Sequence, residues 1–326
     1  MKRKDIVKRA YDDSGLDIKN HKYQERADQF LRRELHDDLQ GMGLWTQGID
    51  VTTKALFNHA REAKAYIKAK QSGVIAGLDE ITRFYKDNGL DVKLYKNDGD
   101  RVKKGDKILE LSGDAKDMLN TERTGLNLLQ RMSGIATTTR KLKDKIKGYD
   151  TEIVATRKSQ LRYLDKRAVK LGGGLPHRLG LHDGILIKDT HLDALKRDGI
   201  GKTIEAALEM SANYLEHPNI KFIEIEVATQ DEAIRAARKV KGLLENRVDP
   251  KPCIIMLDNM KPSQIKKVIS KLKKENLYDY VLLEASGMIN EKTIESYARS
   301  GVDVVSMGCL THSIESLDLS QKMEVK

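Results

Sequence analysis

The sequence predicts an α/β protein: a parallel sheet wound with helices, preceded by a smaller α+β domain. Three observations carry that expectation. Beyond Gly148 the chain settles into a repeating rhythm of strand, loop and helix, which is how parallel strands are connected. Ahead of it, short apolar alternations from Ala65 to Leu111 are punctuated by Gly73, Gly77, Asp98-Gly99 and Gly105, a pattern of twisted antiparallel strands. Between them runs one long helical pattern from about Asp114 to Arg131, with Leu119, Leu126 and Leu129 on one side.

Taken in order, the chain starts with a charged, loose segment. It continues with an amphipathic helix from about Tyr23 to Gln40, then a glycine-rich loop around Gly41-Met42-Gly43-Leu44-Trp45 and Asp50-Val51-Thr52-Thr53. The antiparallel region holds one helix near Leu78–Tyr85. The parallel strands fall at Glu152–Ala155, Gly184–Ile187, Phe222–Val227, Cys253–Leu257, Tyr280–Glu284 and Val302–Ser306. Helices are expected at Leu161–Leu171, Ile204–Glu216, Gln230–Val240, Pro262–Asn276 and Glu291–Arg299. A series this long argues closure into a barrel, with an open doubly wound sheet as the alternative.

The residues at the C-terminal end of each strand point to function. Thr156, Arg157 and Lys158 come after the first, Lys188 and Asp189 after the second, and Glu226 lies near the end of the third. Asp258-Asn259, Ser286-Gly287 and Gly308 come after the remaining three. The C-terminal strand ends of a parallel barrel converge on one mouth, where active sites are built. Charge at every one of those ends is costly unless it meets water or a ligand. Ser286-Gly287, leading toward a helix near Asn290, and Gly308 form a candidate phosphate cradle. Glu226 and Asp258 are a candidate Mg²⁺ or sugar-hydroxyl pair, or else mere ion-pair partners for Lys158 and Lys188. His177-Arg178, fixed by Pro176, adds a guanidinium fork suited to carboxylates. Gly172-Gly173-Gly174 comes after a helix and so is a helix stop, not a dinucleotide fingerprint. The turn from Asp98 to Asp106, with Lys116 beyond, resembles a lipoyl-type carrier hairpin, although the residues around Lys116 depart from that pattern.

Bulk properties narrow the partners. The net charge of +10 calls for an anionic ligand. The lysines are dispersed, however, and the run Lys266, Lys267, Lys271, Lys273 and Lys274 lies on one amphipathic helix. The chain's 1 Trp, 11 Tyr and 4 Phe form no stacking cluster among basic residues, which argues against nucleic acid. Cys253 and Cys309 lack metal or disulfide spacing. No apolar run approaches the roughly 18 residues of a membrane helix, and the basic start leads into no apolar signal core. A cytoplasmic protein that engages no membrane is expected.

Together these motifs resemble the nicotinate-nucleotide pyrophosphorylase (carboxylating), or quinolinate phosphoribosyltransferase, family. The resemblance runs from about Asp50 to Asp318. It includes Gly73–Gly77, Glu122-Arg123-Thr124-Gly125, Ser133-Gly134-Ile135, Thr156-Arg157-Lys158 and His177-Arg178. Further along come Ile187-Lys188-Asp189, Glu224-Ile225-Glu226, Leu257-Asp258-Asn259, Glu284-Ala285-Ser286-Gly287 and Met307-Gly308. It implies an incomplete TIM-like α/β barrel at residues 131–311. An N-terminal α/β sandwich at 1–130 would receive the tail at 312–326. It also implies a homodimer whose sites are completed by Arg123 of the partner subunit.

The implied substrates are quinolinate and phosphoribosyl pyrophosphate, with Mg²⁺. Arg123, Arg157, His177 and Arg178 would surround the quinolinate carboxylates, and Thr156 would also bind substrate. Lys158 and Lys188 would meet substrate charge and phosphate, Glu226 and Asp258 the ribose and Mg²⁺, and Ser286, Gly287, Met288 and Gly308 the 5′-phosphate. Lys158, Lys188, Glu226 and Asp258 form the implied catalytic set. Three departures stand out. Ser159-Gln160-Leu161-Arg162 is shorter than the family's Pro-Gly-containing loop, Thr190 replaces Asn, and Met288 replaces a second Gly. Alternative readings are a relative acting on another aromatic acid, a molybdenum-transport-associated pyrophosphorylase-like protein, and a non-catalytic sensor of a phosphoribosyl ligand.

Overall fold

The computed structural model describes residues 2–40, 48–197 and 203–325, and the glycine-rich stretch around Gly41–Trp45 lies outside them. Two compact units form. One comprises Met1–Asp13, Lys141–Arg162 and Gly174–His312; the other comprises Ser14–Arg140, Tyr163–Gly173 and Ser313–Lys326. A single cut at residue 130 does not divide them. The first helix, α1 (Arg3–Ala10), belongs with the parallel sheet, and residues 163–173 belong with the antiparallel one.

The antiparallel unit begins with α2 (His21–Gln40), α3 (Val51–Leu56), β1 (Glu62–Ala69), β2 (Gly73–Val74) and α4 (Leu78–Asp87). It continues through β3 (Asp91–Leu94), β4 (Arg101–Val102), β5 (Lys107–Asp114) and most of α5 (Ala115–Lys145). Tyr23, Ala27 and Leu31, four residues apart, bury one stripe of α2. On β1 every second residue is buried, from Ala63 to Ala69, so one face of the sheet packs inward. The Asp98 carboxylate accepts hydrogen bonds from the Gly77, Leu78 and Asp79 amides at the start of α4. That capping role and the position of Lys116 in the first turn of α5 leave no carrier hairpin.

The chain continues through β6 (Glu152–Ala155), α6 (Arg162–Leu171), β7 (Ile185–Ile187), α7 (Asp189–Arg197), α8 (Ile204–Ala212) and β8 (Ile223–Val227), all but α6 lying in the parallel unit. Next come α9 (Gln230–Leu244), β9 (Cys253–Asp258), α10 (Pro262–Lys274), β10 (Leu282–Ser286), α11 (Ile294–Ala298), β11 (Val304–Met307) and α12 (Cys309–His312). The final strand, β12 (Leu319–Val325), pairs antiparallel with β1 in the order β12-β1-β5-β3. Residues of α6 from Tyr163 onward join that antiparallel unit. There Arg131 forks onto the Asp165 carboxylate at 2.8 and 2.9 Å. Arg167 reaches Glu80 at 2.6 Å, Asp79 at 2.7 Å and the Leu16 carbonyl at 2.9 Å.

The parallel sheet has the order β6-β11-β10-β9-β8-β7. Strand order simply runs backwards along the chain from β11 to β7, with the first strand beside the last. A doubly wound sheet would reverse direction at a switch point; this order is that of a barrel. Among the described residues no ladder joins β6 to β7, so the barrel is open there, and the expected incomplete TIM-like architecture stands. Beneath its strands, Val7, Ala10 and Tyr11 at the end of α1 pack with Val154, Phe222, Ile254, Leu282 and Val304. Arg3 fastens α1 by forking onto Asp303 at 2.7 and 2.6 Å and by donating to the Tyr278 and Val281 carbonyls. The loose start expected from its charge is thus a helix seated on the sheet.

Candidate active site

Side chains two residues apart on a strand share a face, so the barrel interior can be read in layers. Phe222, Ile254, Leu282 and Val304 form the apolar floor over α1. Two residues further along each strand come Glu224, Met256, Glu284 and Ser306, all buried. Two further again come Glu226, Asp258, Ser286 and Gly308, and here exposure begins. The β9–β10 register pairs Ser286 with Asp258. The β8–β9 register sets Glu226 opposite Met256, so the expected residues end neighbouring strands along the C-terminal edge of one sheet.

At that edge Lys188 Nζ lies 3.1 Å from Glu226 Oε2. Asp258 accepts from Ser286 Oγ at 2.6 Å through one oxygen and from Asn259 Nδ2 at 2.6 Å through the other. The ion pair considered as the bland alternative for Glu226 is thus present, with Lys188. Ser286, expected in the phosphate cradle, donates its hydroxyl to Asp258 in this arrangement. The backbone around it is still cradle-like. Gly287 has φ +91°, and a Cβ there would sit 2.1 Å from Asn259 Oδ1, so glycine is required. Met288 is almost fully exposed at φ +40°. The helix expected near Asn290 starts only at Ile294 and spans five residues, so its dipole adds little.

Lys158 is held from both sides. Its amide donates to Thr156 Oγ1 at 3.2 Å, and its carbonyl accepts from Thr311 Oγ1 at 2.7 Å. A Cβ on Gly308 would come within 3.3 Å of Lys158 Cδ, so that glycine makes room for the lysine stem. Arg157 and Lys158 are both exposed. Thr311 was not anticipated; its place one helical turn past Gly308 was the available signal.

Arg178 is buried and donates to the Gly184 carbonyl at 3.3 Å. Burial, and then the charge of Arg157, weaken its hold on its proton. Its loop is fixed by Asp183, whose carboxylate accepts from the Leu179 and Gly180 amides. His177 adopts φ +55°, a strained conformation for a non-glycine residue that persists where surroundings enforce it. Its Nε2 lies 3.2 Å from Glu224 and 3.4 Å from Glu284.

Two observations on His177 pull in opposite directions. The Arg178 amide donates to Nδ1 at 2.7 Å, which suits the neutral ring. Burial also favours the neutral ring, but Glu284 and then Glu224 push its pKa up to about 9. The imidazolium is favoured, because the buried Glu284 carboxylate, with Glu224 beside it, outweighs one peptide dipole. In that state Nδ1–H must leave the Arg178 amide and becomes a ring donor that faces neither carboxylate.

His177, Glu224 and Glu284 are also the set among the described residues whose ligand atoms lie within 4.8 Å of one another. Glu226 and Asp258 gather no third carboxylate or imidazole there. They are hard oxygen donors that fit Mg²⁺ when substrate oxygens supply most of its shell. Arg123 belongs to the other unit, where it is exposed on α5. The sequence carried Glu224 and Glu284 only as members of motifs, with no role given to either, and Tyr11 not at all. The period-two step back from Glu226 and Ser286 would have found the first two.

Comparison with known proteins finds relatives along most of the chain. The quinolinate phosphoribosyl transferase N-terminal domain family matches residues 50–133, and the C-terminal domain family matches residues 135–322. The chain belongs to the quinolinate phosphoribosyltransferase family. It is 38% identical over 275 residues to a probable nicotinate-nucleotide pyrophosphorylase [carboxylating] of Methanothermobacter thermautotrophicus, covering 83% of this chain and 92% of that one. A quinolinate phosphoribosyltransferase [decarboxylating] of Nicotiana tabacum is 38% identical, over 85% of this chain and 78% of the relative. The crystal structure of NadC from Streptococcus pyogenes superposes with a TM-score of 0.78 at 32% identity, covering 93% and 98% of the two chains. Among the described residues no helix is long and apolar enough to cross a membrane.

Proposed function

We propose that this protein is a carboxylating nicotinate-nucleotide pyrophosphorylase. It transfers the phosphoribosyl group of phosphoribosyl pyrophosphate to quinolinate, yielding nicotinate mononucleotide, pyrophosphate and carbon dioxide in NAD biosynthesis. The observation that carries this reading is the pairing of two anion-seeking clusters on one barrel. Arg157 bears on buried Arg178 beside His177, while Lys158, Lys188, Glu226 and Asp258 line the strand ends. Like charges held together are costly until an anion joins them, and quinolinate brings two carboxylates.

The chain's groups have distinct tasks in this reading. Arg157 and Arg178 fork onto the carboxylates, and His177 donates to one through Nδ1, which orients the pyridine nitrogen toward the ribose. Lys158 and the backbone at Gly287, Met288 and Gly308 receive phosphate. Glu226 and Asp258 face the ribose carbon as positive charge develops on it, and they hold Mg²⁺ from the protein side. The metal supplies charge neutralisation for the departing pyrophosphate.

The pyridine nitrogen forms the new bond to the ribose carbon as the pyrophosphate oxygen leaves with the old bonding pair. The adjacent carboxylate then departs as carbon dioxide. Its electrons pass to the ring carbon, stabilised by the pyridinium, and that carbon takes up a proton. No covalent enzyme intermediate is required. Arg123 of the partner subunit completes the carboxylate shell in a cytoplasmic homodimer.

Purified protein given Mg²⁺, phosphoribosyl pyrophosphate and quinolinate should form nicotinate mononucleotide and carbon dioxide in equal amounts. Turnover with nicotinate or another aromatic acid but none with quinolinate would overturn the reading while leaving the fold intact.

A further inference from the structure

The mouth contains one residue whose contacts the substrate roles leave unexplained. Asn259 follows the last residue of β9 with φ +53°, a left-handed conformation that asparagine tolerates better than most side chains. Its neighbours hold it there. The Asn259 N–H donates to the Ser286 carbonyl at 3.1 Å, which ties the end of β9 to the end of β10. Met260, next in the chain, is buried, and Pro262 opens α10.

The side chain faces two parts of the site at once. Its Nδ2 donates to Asp258 Oδ2 at 2.6 Å, while Ser286 Oγ donates to Asp258 Oδ1 at 2.6 Å. Each oxygen of Asp258 thus has its own donor, and the two donors fix the plane of the carboxylate. On its other side the Asn259 amide fills the space that Gly287 leaves open. A Cβ on Gly287 would lie 2.7 Å from Asn259 Cγ and 3.1 Å from its Cα. Gly287 and Met288 are left-handed in succession, at φ +91° and +40°, and the amide packs against the first of them.

We propose that Asn259 is a positioning residue for phosphoribosyl pyrophosphate: its one amide group holds the Asp258 carboxylate through Nδ2 and backs the Gly287 turn with its opposite side. It thereby sets the distance between the group that faces the ribose and the turn that receives phosphate. The inference rests on the function proposed above and extends it to a residue that touches no substrate in that reading.

A carboxylate and a backbone turn on neighbouring strands would otherwise relax independently of each other. A rigid link between them reduces the freedom lost when one substrate orders both. Asparagine combines the three properties the link requires: a side chain short enough to reach back one residue, a donor, and tolerance of positive φ. Aspartate lacks the donor, glutamine is one methylene longer, and glycine has no side chain.

Asn259→Gly removes the amide and keeps the left-handed backbone without strain. In a substrate-free crystal structure of this variant, the Asp258 carboxylate should leave its native plane or split between two orientations. Asp258 and Gly287 that both keep their native positions overturn the proposal. By calorimetry with Mg²⁺ and no acid substrate, phosphoribosyl pyrophosphate should bind about tenfold more weakly, while the KM for quinolinate stays within about twofold. An affinity for phosphoribosyl pyrophosphate within about twofold of native likewise overturns it. Asn259→Asp keeps the size and the tolerance of positive φ but cannot donate, so it should bind no more tightly than Asn259→Gly; native affinity there would refute the donor role. Should one variant fail to fold, the other carries the same comparison. The crystallographic readout needs no substrate, so a displaced Asp258 in a protein that binds no phosphoribosyl pyrophosphate would count against the proposed function alone.

Discussion

Arg178→Ala is the most direct test of how the two anion-seeking clusters divide their work. Arg178 is buried, anchored at Gly184 and set against Arg157, so its guanidinium has little freedom to lose on binding. A charge-assisted fork onto a carboxylate in such a place is worth about 3 kcal/mol, or about 150-fold in an equilibrium constant. The loss should fall on kcat/KM for quinolinate. The groups proposed to face phosphate, Lys158 and the Gly287 and Gly308 backbone, are held by other contacts. The KM for phosphoribosyl pyrophosphate should therefore stay within about twofold. Initial-rate kinetics with each substrate varied in turn measures both numbers. Equal loss for the two substrates would refute the division of labour. Arg178→Lys refines the test: it keeps the charge but not the fork, so most of the loss should persist.

The geometry sets three further outcomes. Glu226→Gln removes the carboxylate partner of Lys188 and a proposed Mg²⁺ donor; kcat should fall about 100-fold and more Mg²⁺ should be needed for half-maximal rate. An unchanged Mg²⁺ titration would remove Glu226 from that role. Arg3→Ala strands the buried Asp303 carboxylate that it forks onto and should cost about 3 kcal/mol in urea unfolding; a loss well under about 1 kcal/mol would mean that α1 is held by packing alone. Thermal stability should decline as pH rises from about 6.5 to 9. His177, lowered by burial but raised more by Glu284 and Glu224 to about 9, contributes stability that is complete below its unfolded pKa near 6.5 and lost through 9. Glu224, raised to about 7 by burial and then by Glu284, acts with the same sign at lower pH. A melting temperature that climbs across this range would contradict the pair.

Much of the parallel unit was legible because its strands are short apolar runs that each end in a charged or glycine residue. The predicted strand at Glu152–Ala155 matches the observed one, and the others differ by a residue or two at their ends. The antiparallel unit was legible only as a class. Its β12 lies in a tail whose pairing partner, β1, is more than two hundred residues away, and no local pattern encodes that register. Helix α1 was missed for a different reason. Its lysines and arginines dominate the segment, while the buried stripe is only Val7, Ala10 and Tyr11. The same masking hid Glu224 and Glu284. A charge on a strand was read where it met the strand end, although the same face continues two residues deeper.

The shortened loop after the Thr156-Arg157-Lys158 motif bears on substrate choice, and the structure limits how far its influence reaches. Lys158 is fixed at its amide by Thr156, at its carbonyl by Thr311 and along its stem by Gly308. The residues where the family's longer loop would differ begin after those contacts, at Ser159, and end at Arg162, the first residue of α6. The shortened segment Ser159–Leu161 thus lies beyond the contacts that hold the lysine proposed to meet phosphate. Arg157 is less constrained, since it is exposed and its carbonyl accepts from the Ser159 amide at 2.9 Å inside the turn that shortens. A change in the acid substrate would be felt first at Arg157, while Arg178, buried and braced from Gly184, keeps the second carboxylate contact in place. The Arg178→Ala kinetics and the choice among aromatic acids thus probe opposite ends of one seat, one rigid and one adjustable.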